Sequence, residues 1–238
     1  GDDPAGATAR AALARDGVDT RGEFRDPAGT ARSVNLVFGD GRRRFFYDGK
    51  GHMGLRPDLA ASRSVLAGAR LAHVNIPNWA RLVLPVAREL GVPVGCDVQD
   101  VADPDDPYRR DFALGADYLF FSAANHPDPA PVMRAWWGLK PGLVMVAGMG
   151  ARGCALGADG EVRVFPPPPI DLPVVDTNGA GDALAVGFLA ARVLEGRSVE
   201  EAVRWGQTAA RHTSAQPAPK TDLVTSTALR GYLAALAK

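Results

Sequence analysis

The sequence has no excess of charge. Its 238 residues carry 27 Lys plus Arg against 27 Asp plus Glu. No net field therefore draws it to nucleic acid or to an anionic membrane surface, and any anion site has to be local. Cysteine is scarce: Cys96 and Cys154 are the only two. Neither belongs to a CxxC pair or a Cys/His cluster, so no zinc site is indicated. Both stand in apolar, strand-like surroundings and read as small buried hydrophobes. Unpaired cysteines of this kind fit a reducing cytoplasm. No uncharged apolar run approaches the roughly 18 residues of a membrane-spanning helix. There is no internal repeat, no long disordered tract and no G-x-x-x-x-G-K-[ST], which excludes a P-loop NTPase.

What is present is ordinary globular material, 46% hydrophobic and 23% charged, enough for one large domain or two small ones. Asp3-Pro4 reads as N-cap and first helical position of a helix running to Arg15 and stopped by Gly17. Ala31–Phe38 and Arg42–Tyr47 read as strands joined by Gly39-Asp40-Gly41, a hairpin signal. From Pro57 onward, short apolar strands alternate with helical patterns. Helices are expected over Pro57–Ala67 and Trp79–Leu90, the latter bent or shortened by Pro85. Strands are expected over Leu71–Asn75, Val92–Val98, Tyr118–Phe121 and Leu143–Ala147, with a loop rich in Asp and Pro after Val98. Cys154–Leu156 and Glu161–Phe165 flank a second hairpin turn, and Pro166–Pro169 form a stiff extended connector. A helix is expected over Ala180–Leu194. Another opens on the capping box Ser198/Glu201, and a last one turns Leu229, Tyr232, Leu233 and Leu236 inward. Alternation of this kind predicts an α/β fold with a parallel sheet covered on both faces. Asp97 and Asp100 fall at a strand end, where open α/β sheets bind ligands.

Two glycine motifs compete for attention. Gly148-Met149-Gly150-Ala151-Arg152-Gly153 matches G-x-G-x-x-G after a strand, but a dinucleotide fingerprint needs a helix directly afterwards. Here a hairpin pattern comes next, so an NAD oxidoreductase is the weakest reading. A helix found after Gly153 would revive it. Val175-Asp176-Thr177-Asn178-Gly179-Ala180-Gly181-Asp182-Ala183 is a different loop. It places successive N–H groups at the mouth of a helix with little side-chain obstruction, an anion hole. Asp182 lies within one turn of anything bound there. A fixed carboxylate repels an anion, and an acceptor hydroxyl between the two resolves the conflict. Asp182 could then take the hydroxyl proton while the N–H groups neutralise a transferring phosphoryl group. The plainer alternative is an aspartate that caps the helix, which leaves both glycines and Asp176 unexplained.

Val175–Ala183 resembles the D-T-x-G-A-G-D signature of the ribokinase-like (PfkB) carbohydrate kinases. The resemblance extends over nearly the whole chain. "GDDPAGATARAALARDGVDT" is similar to the segment after the family's sugar-binding start, and "GTARSVNLVFGDGRRRFF" to its β-lid. "VMVAGMGARGCAL" resembles its nucleotide strand and turn. "FPPPPIDLPVVDTNGAGD" and "GRSVEEAVRWG" resemble ketohexokinase-type members. The resemblance implies a three-layer α/β/α ribokinase-like domain over 1–238 with a small β-sheet lid within about 21–50. It implies ATP-dependent phosphorylation of a sugar hydroxyl, with Asp182 as catalytic base contacting the substrate and Gly179, Ala180 and Gly181 as anion hole. Mg-ATP would lie near Ser122, Gly148, Gly150, Gly153, Gln207 and Ala210. A monovalent cation such as potassium would sit by Asp176, Asn178, Ala209 and Ser214. Asp97, from its place at a strand end and not from the resemblance, is a candidate for the substrate side. The resemblance also implies a cytoplasmic enzyme with a small sugar substrate, no nucleic-acid or membrane partner, and a homodimer formed through the lid.

Departures from the family pattern are as informative. Where many members carry P-N-x-x-E, this chain reads Phe121-Ser122-Ala123-Ala124-Asn125, which touches the metal side of the site. The family's first strand and its G-G-x-x-x-N motif would precede Gly1, so the chain is expected to begin inside the domain. Sugar contacts would be lost with that segment and activity lowered. The alternatives carried forward are a nucleoside or other small-alcohol kinase of the same fold, and a catalytically impaired ligand-binding relative.

Overall fold

A computed structural model describes residues 1–37, 43–217 and 222–236. The chain divides into two compact units, Gly1–Ala69 with Pro77–Leu90, and Arg70–Ile76 with Gly91–Lys238.

The first unit opens with α1 (Pro4–Arg15), capped by Asp3. The Asp3 carboxylate accepts from Gly6 N–H (2.8 Å), Thr30 N–H (2.8 Å) and the Thr30 hydroxyl (2.6 Å). The two Thr30 bonds lead in holding its pKa well below the usual carboxylate range. Strands β1 (Arg32–Val37) and β2 (Arg43–Asp48) pair antiparallel, with Val34 opposite Phe46 and Asn35 opposite Phe45. Val34, Leu36, Phe45 and Phe46 are exposed. The turn Gly39-Asp40-Gly41 and Arg42 lie outside the described residues. Helix α2 (Leu59–Leu66) starts two residues later than the pattern suggested, where Asp58 accepts from the N–H groups of Ala60 and Ala61. The single helix expected over Trp79–Leu90 is in fact two pieces. A 3₁₀ turn covers Asn78–Leu82, and α3 covers Leu84–Glu89 with Pro85 in its first turn. Proline fits there because its missing N–H is one the helix leaves unpaired anyway.

The second unit is a six-stranded sheet in the order β3-β4-β5-β6-β7-β8. Its strands are β3 (Ala72–Val74), β4 (Val94–Asp100), β5 (Tyr118–Ser122), β6 (Val144–Gly148), β7 (Cys154–Ala158) and β8 (Glu161–Phe165). The first four are parallel, and β7 and β8 are antiparallel additions. Successive residues of β4, β5 and β6 are buried. Neighbouring side chains point to opposite faces, so both faces are covered. Helix α5 (Ala130–Leu139) packs Trp136 edge-on against Phe121, ring centroids 5.2 Å apart. Cys96 and Cys154 are free and fully buried. Burial pushes both thiols up, that of Cys154 to about 12.

Three expectations are corrected. The Asp/Pro-rich loop contains α4 (Pro107–Gly115), capped by Asp106 and anchored by buried Phe112. Helix α6 is α-helical only over Ala180–Leu189 and ends in a π turn, Ala190–Leu194. In α8 (Ser226–Leu236), Leu229 is buried as expected, but Leu236 is 37% exposed.

Helix α7 (Val199–Ser214) carries the capping box as the sequence indicated. It meets α6 at a glycine seam. A Cβ on Gly187 would lie 2.9 Å from the Gly206 Cα, and one on Gly206 would lie 2.5 Å from the Leu184 carbonyl oxygen. That close approach fixes the N-terminus of α6 relative to α7.

Candidate active site

The Pro166–Pro169 connector and the residues after it form no strand or helix until α6 begins. Their backbone groups still need partners, and one face of α7 supplies several. Gln207 Nε2 donates to the carbonyls of Phe165 (3.0 Å) and Pro166 (3.1 Å). The Arg211 guanidinium donates to those of Leu172 and Pro173. The Ser214 carbonyl accepts from the N–H groups of Val175 (2.8 Å) and Asp176 (3.2 Å). Positions 207, 211 and 214 share one side of a helix, so the connector is laid along α7 and delivered to the mouth of α6.

At that mouth Gly179 takes φ 76°, the left-handed region that favours glycine. Asp176 Oδ1 accepts from Asn178 N–H (2.8 Å), closing the preceding turn. The Ala180 N–H donates to the Thr177 carbonyl (3.2 Å) and that of Ala183 to the Gly179 carbonyl (3.0 Å). Among the described residues, no protein acceptor meets the N–H groups of Gly181 and Asp182. Gly181 has an ordinary φ, and a Cβ there would meet nothing within 4 Å. Protein packing therefore gives no reason for that glycine. It leaves two N–H donors and the positive end of α6 open to an anion.

These groups face a cavity of about 670 Å³, lined at one end by Ala180, Gly181, Asp182 and Asp97. Ser122, Gly148, Gly150 and Gly153 line it from the ends of β5 and β6 and the turn after β6. Gln207, Ala210 and Ser214 line it from α7. Residues from five separate stretches thus meet at one cavity. Gly179, Asp176, Asn178 and Ala209 are not among its lining residues. Asp100 is not either, whereas Gln99, Thr177, Pro167, Pro168 and Arg211 line the cavity without having been expected as site residues. For Arg211 the signal was available, four residues after Gln207 on the same helix face. Gln99 takes φ 58° at a register shift between Asp97 and Asp100, and no sequence pattern announces it.

Electrostatics tie this end of the cavity together. Burial raises the Asp97 pKa to about 6, against the Gln99 N–H that its carboxylate accepts at 2.7 Å, with the charges of Asp182 and Asp100 adding to the rise. His73, whose ring stands on Phe120, has its pKa lowered by burial while Asp182 pulls it the other way. In the departed motif, Ser122 Oγ accepts from Ala124 N–H (3.2 Å). The Asn125 amide reaches the Val101 carbonyl (3.4 Å), which His126 Nε2 also contacts (2.8 Å). Asn125 and His126 therefore have structural partners.

The G-x-G-x-x-G stretch does not lead into a helix. Gly150–Arg152 is a 3₁₀ turn and β7 starts at Cys154, so Gly153 has no helix N-terminus behind it to hold a pyrophosphate. Gly153 itself (φ 89°) is required by packing, because a Cβ there would lie 2.1 Å from the Phe165 carbonyl oxygen.

Residues 122–225 match the model of the pfkB family carbohydrate kinases. The chain is 34% identical over 232 residues to the acarbose 7(IV)-phosphotransferase of an Actinoplanes species, covering 96% of this chain and 77% of that protein. The chain belongs to the pfkB family of carbohydrate kinases. A microbiome-derived acarbose kinase superposes with a TM-score of 0.89 at 31% identity, over 98% of this chain and 78% of that one. The Arabidopsis thaliana ribokinase solved with ribose and ATP shares the fold, with TM-score 0.79 at 22% identity, over 98% and 79% of the two chains. The three-layer α/β ribokinase-like fold is thereby established. The protein is a sugar kinase that transfers a phosphoryl group to a sugar hydroxyl. Ribokinase-like kinases use ATP with a divalent metal. No helix among the described residues is long and apolar enough to cross a membrane.

The residues present suit that donor. The open N–H pair at α6 fits a phosphoryl group. Among the described residues no three His, Cys, Asp or Glu side chains cluster to hold a metal. Magnesium typically arrives on substrate phosphates with one or two carboxylates, and Asp97 and Asp182 are the carboxylates lining this cavity.

Proposed function

We propose that Asp182 is the general base of this sugar kinase and that the mouth of α6 holds the transferring phosphoryl group. The carrying observation is the pair of unpartnered N–H groups at Gly181 and Asp182 beside a glycine with open space around it. Asp182 removes the proton from the sugar hydroxyl as its oxygen attacks. The N–H groups of Gly181 and Asp182 neutralise charge on the phosphoryl group, with Gly179 setting the turn. The Ala180 N–H joins them by leaving the Thr177 carbonyl. Asp97 and Asp182 are the carboxylates that would help hold a magnesium ion brought in on the donor phosphates, which would supply further charge neutralisation. The nucleotide lies along Ser122, Gly148, Gly150, Gly153, Gln207 and Ala210, and Asp97 serves the acceptor end.

The acceptor proposed is an oligosaccharide of the acarbose kind, on the strength of two relatives above 30% identity whose names carry that substrate. A potassium ion beside Asp176, Asn178, Ala209 and Ser214 would compete for the Ser214 carbonyl, whose two lone pairs already accept two N–H groups. We also propose that the two units form one kinase domain in the cytoplasm. The lid spans about 21–50, and the exposed apolar residues of β1 and β2 pair two copies.

The test is transfer from labelled ATP to a panel holding acarbose, simple sugars and nucleosides, with and without potassium, for the protein and Asp182→Asn. Transfer to acarbose, with a loss on the order of 10²–10⁴-fold in the variant, is expected for a general base. Equal rates in the two proteins would remove Asp182 from that role. Transfer to nucleosides alone would replace the acceptor class.

A further inference from the structure

Gln207 is only 7% exposed, yet it lines the cavity. Its amide nitrogen donates to the carbonyls of both Phe165 and Pro166. This settles the orientation of the amide. Two carbonyl oxygens on one side can be satisfied only by the NH₂ end, so the opposite assignment is chemically excluded. The oxygen Oε1 meets no donor among the described residues. It is also not among the polar atoms sealed away from solvent without a partner. Gln207 lines the cavity, so Oε1 is the end of the amide left for a ligand there. A nearly buried side chain thus shows the cavity an acceptor and no donor, and its anchoring to the connector prevents it from turning round.

We infer that Gln207 Oε1 reads the nucleotide base, accepting a hydrogen bond from an exocyclic amino group of the donor. This rests on the assignment of the cavity to the phosphoryl donor. Adenine presents a 6-amino group to such an acceptor. A base with a 6-oxo group sets oxygen against oxygen, and neither side can rotate to relieve it. A base with only hydrogen at that carbon leaves Oε1 unpaired. An ordinary glutamine in a pocket could offer either end of its amide. Here the connector has taken the donor end, and selectivity follows from a contact made for packing.

The experiment compares three nucleotides on the unaltered protein: ATP, purine riboside triphosphate, which lacks the amino group, and inosine triphosphate, which replaces it by a carbonyl. KM is read with the sugar acceptor, and Kd of the three diphosphates is read by calorimetry. Losing one net hydrogen bond should raise KM and Kd about tenfold for the purine riboside nucleotide. Opposing two oxygens should raise both further for the inosine nucleotide. In Gln207→Leu the ATP and purine riboside values should converge to within about twofold. If that variant fails to fold, the nucleotide series on the unaltered protein still decides. Equal affinity for all three diphosphates would overturn base reading by Gln207 and leave the kinase assignment standing. Absence of binding and transfer with every nucleotide would overturn the donor-site assignment as well.

Discussion

Replacing Gly206 by alanine tests how closely the chemistry depends on the α6–α7 seam. The added Cβ would stand 2.5 Å from the Leu184 carbonyl oxygen, 3.1 Å from Leu184 Cδ1 and 3.3 Å from the Phe188 nitrogen. Two of those three atoms are backbone, so no side chain can swing aside. The helices must separate by about 1 Å to restore normal contact distances. Overpacking of this kind costs about 1–3 kcal/mol. Alanine is better than glycine inside a helix by about 1 kcal/mol, so the net loss is up to roughly 2 kcal/mol. At about 2–4 °C per kcal/mol for a chain of this size, Tm should fall by up to roughly 8 °C. Catalysis should suffer more. Asp182 rides on α6, and the nucleotide-facing Gln207 is the residue after the substitution. A shift of about 1 Å between them should lower kcat on the order of 10²-fold. Gly231→Ala is the matched control. It lies inside α8, has no atom within 4 Å of the new Cβ and has no positive φ. It should stabilise by about 0.5–1 kcal/mol and leave kcat unchanged. If Gly206→Ala matched Gly231→Ala in both Tm and kcat, the seam would have no part in positioning the site.

Gly181→Ala should keep its Tm within about 2 °C, since nothing lies within 4 Å of the new methyl group, while kcat falls at least about tenfold as the methyl fills the phosphoryl cradle. An undiminished kcat would show that no phosphoryl group approaches that backbone. Asp97→Asn addresses pH. Its folded pKa, about 6, lies above the unfolded value, and burial is the main cause. The folded state therefore holds the proton more tightly, and stability falls as pH rises from about 4 to 6, by roughly 3 kcal/mol for a shift of about two units. Asparagine is neutral and keeps an oxygen for the Gln99 N–H. The variant should thus melt several degrees higher than the unaltered protein at about pH 8 and at the same temperature at about pH 4. A constant difference across pH would remove the Asp97 charge as its source.

Features built from neighbouring residues were the most legible in the sequence. Val175–Ala183 is legible because a left-handed glycine, an open glycine and an acid must lie close in sequence to build a helix mouth of this kind. The Ser198/Glu201 capping box is equally local, and both of its bonds form. Helix α4 was hidden by its own start signals. Asp106 and Pro107 are an N-cap and first-turn pair, but a run of Asp and Pro also reads as a turn. The bulge that sets Gln99 at positive φ depends on β5, which pairs with β4 from more than twenty residues away. The orientation of Gln207 depends on carbonyls 41 and 42 residues away. Periodicity reports which face of α7 is buried, not which atoms it grips.

That grip has a consequence for how such a chain can vary. Gln207, Arg211 and Ser214 hold the connector only because their spacing keeps them on one side of α7. One residue inserted between Gln207 and Ser214 would turn everything after it by about 100°, detach the connector from Ser214 and carry the Asp176–Gly179 turn away from α6. The connector itself is bound through main-chain atoms at each of these contacts. Connector side chains that do not line the cavity are therefore free to drift in evolution, while the length of the helix beneath is not. In this kinase the segment of fixed length is a helix remote in sequence from the loop it keeps in place.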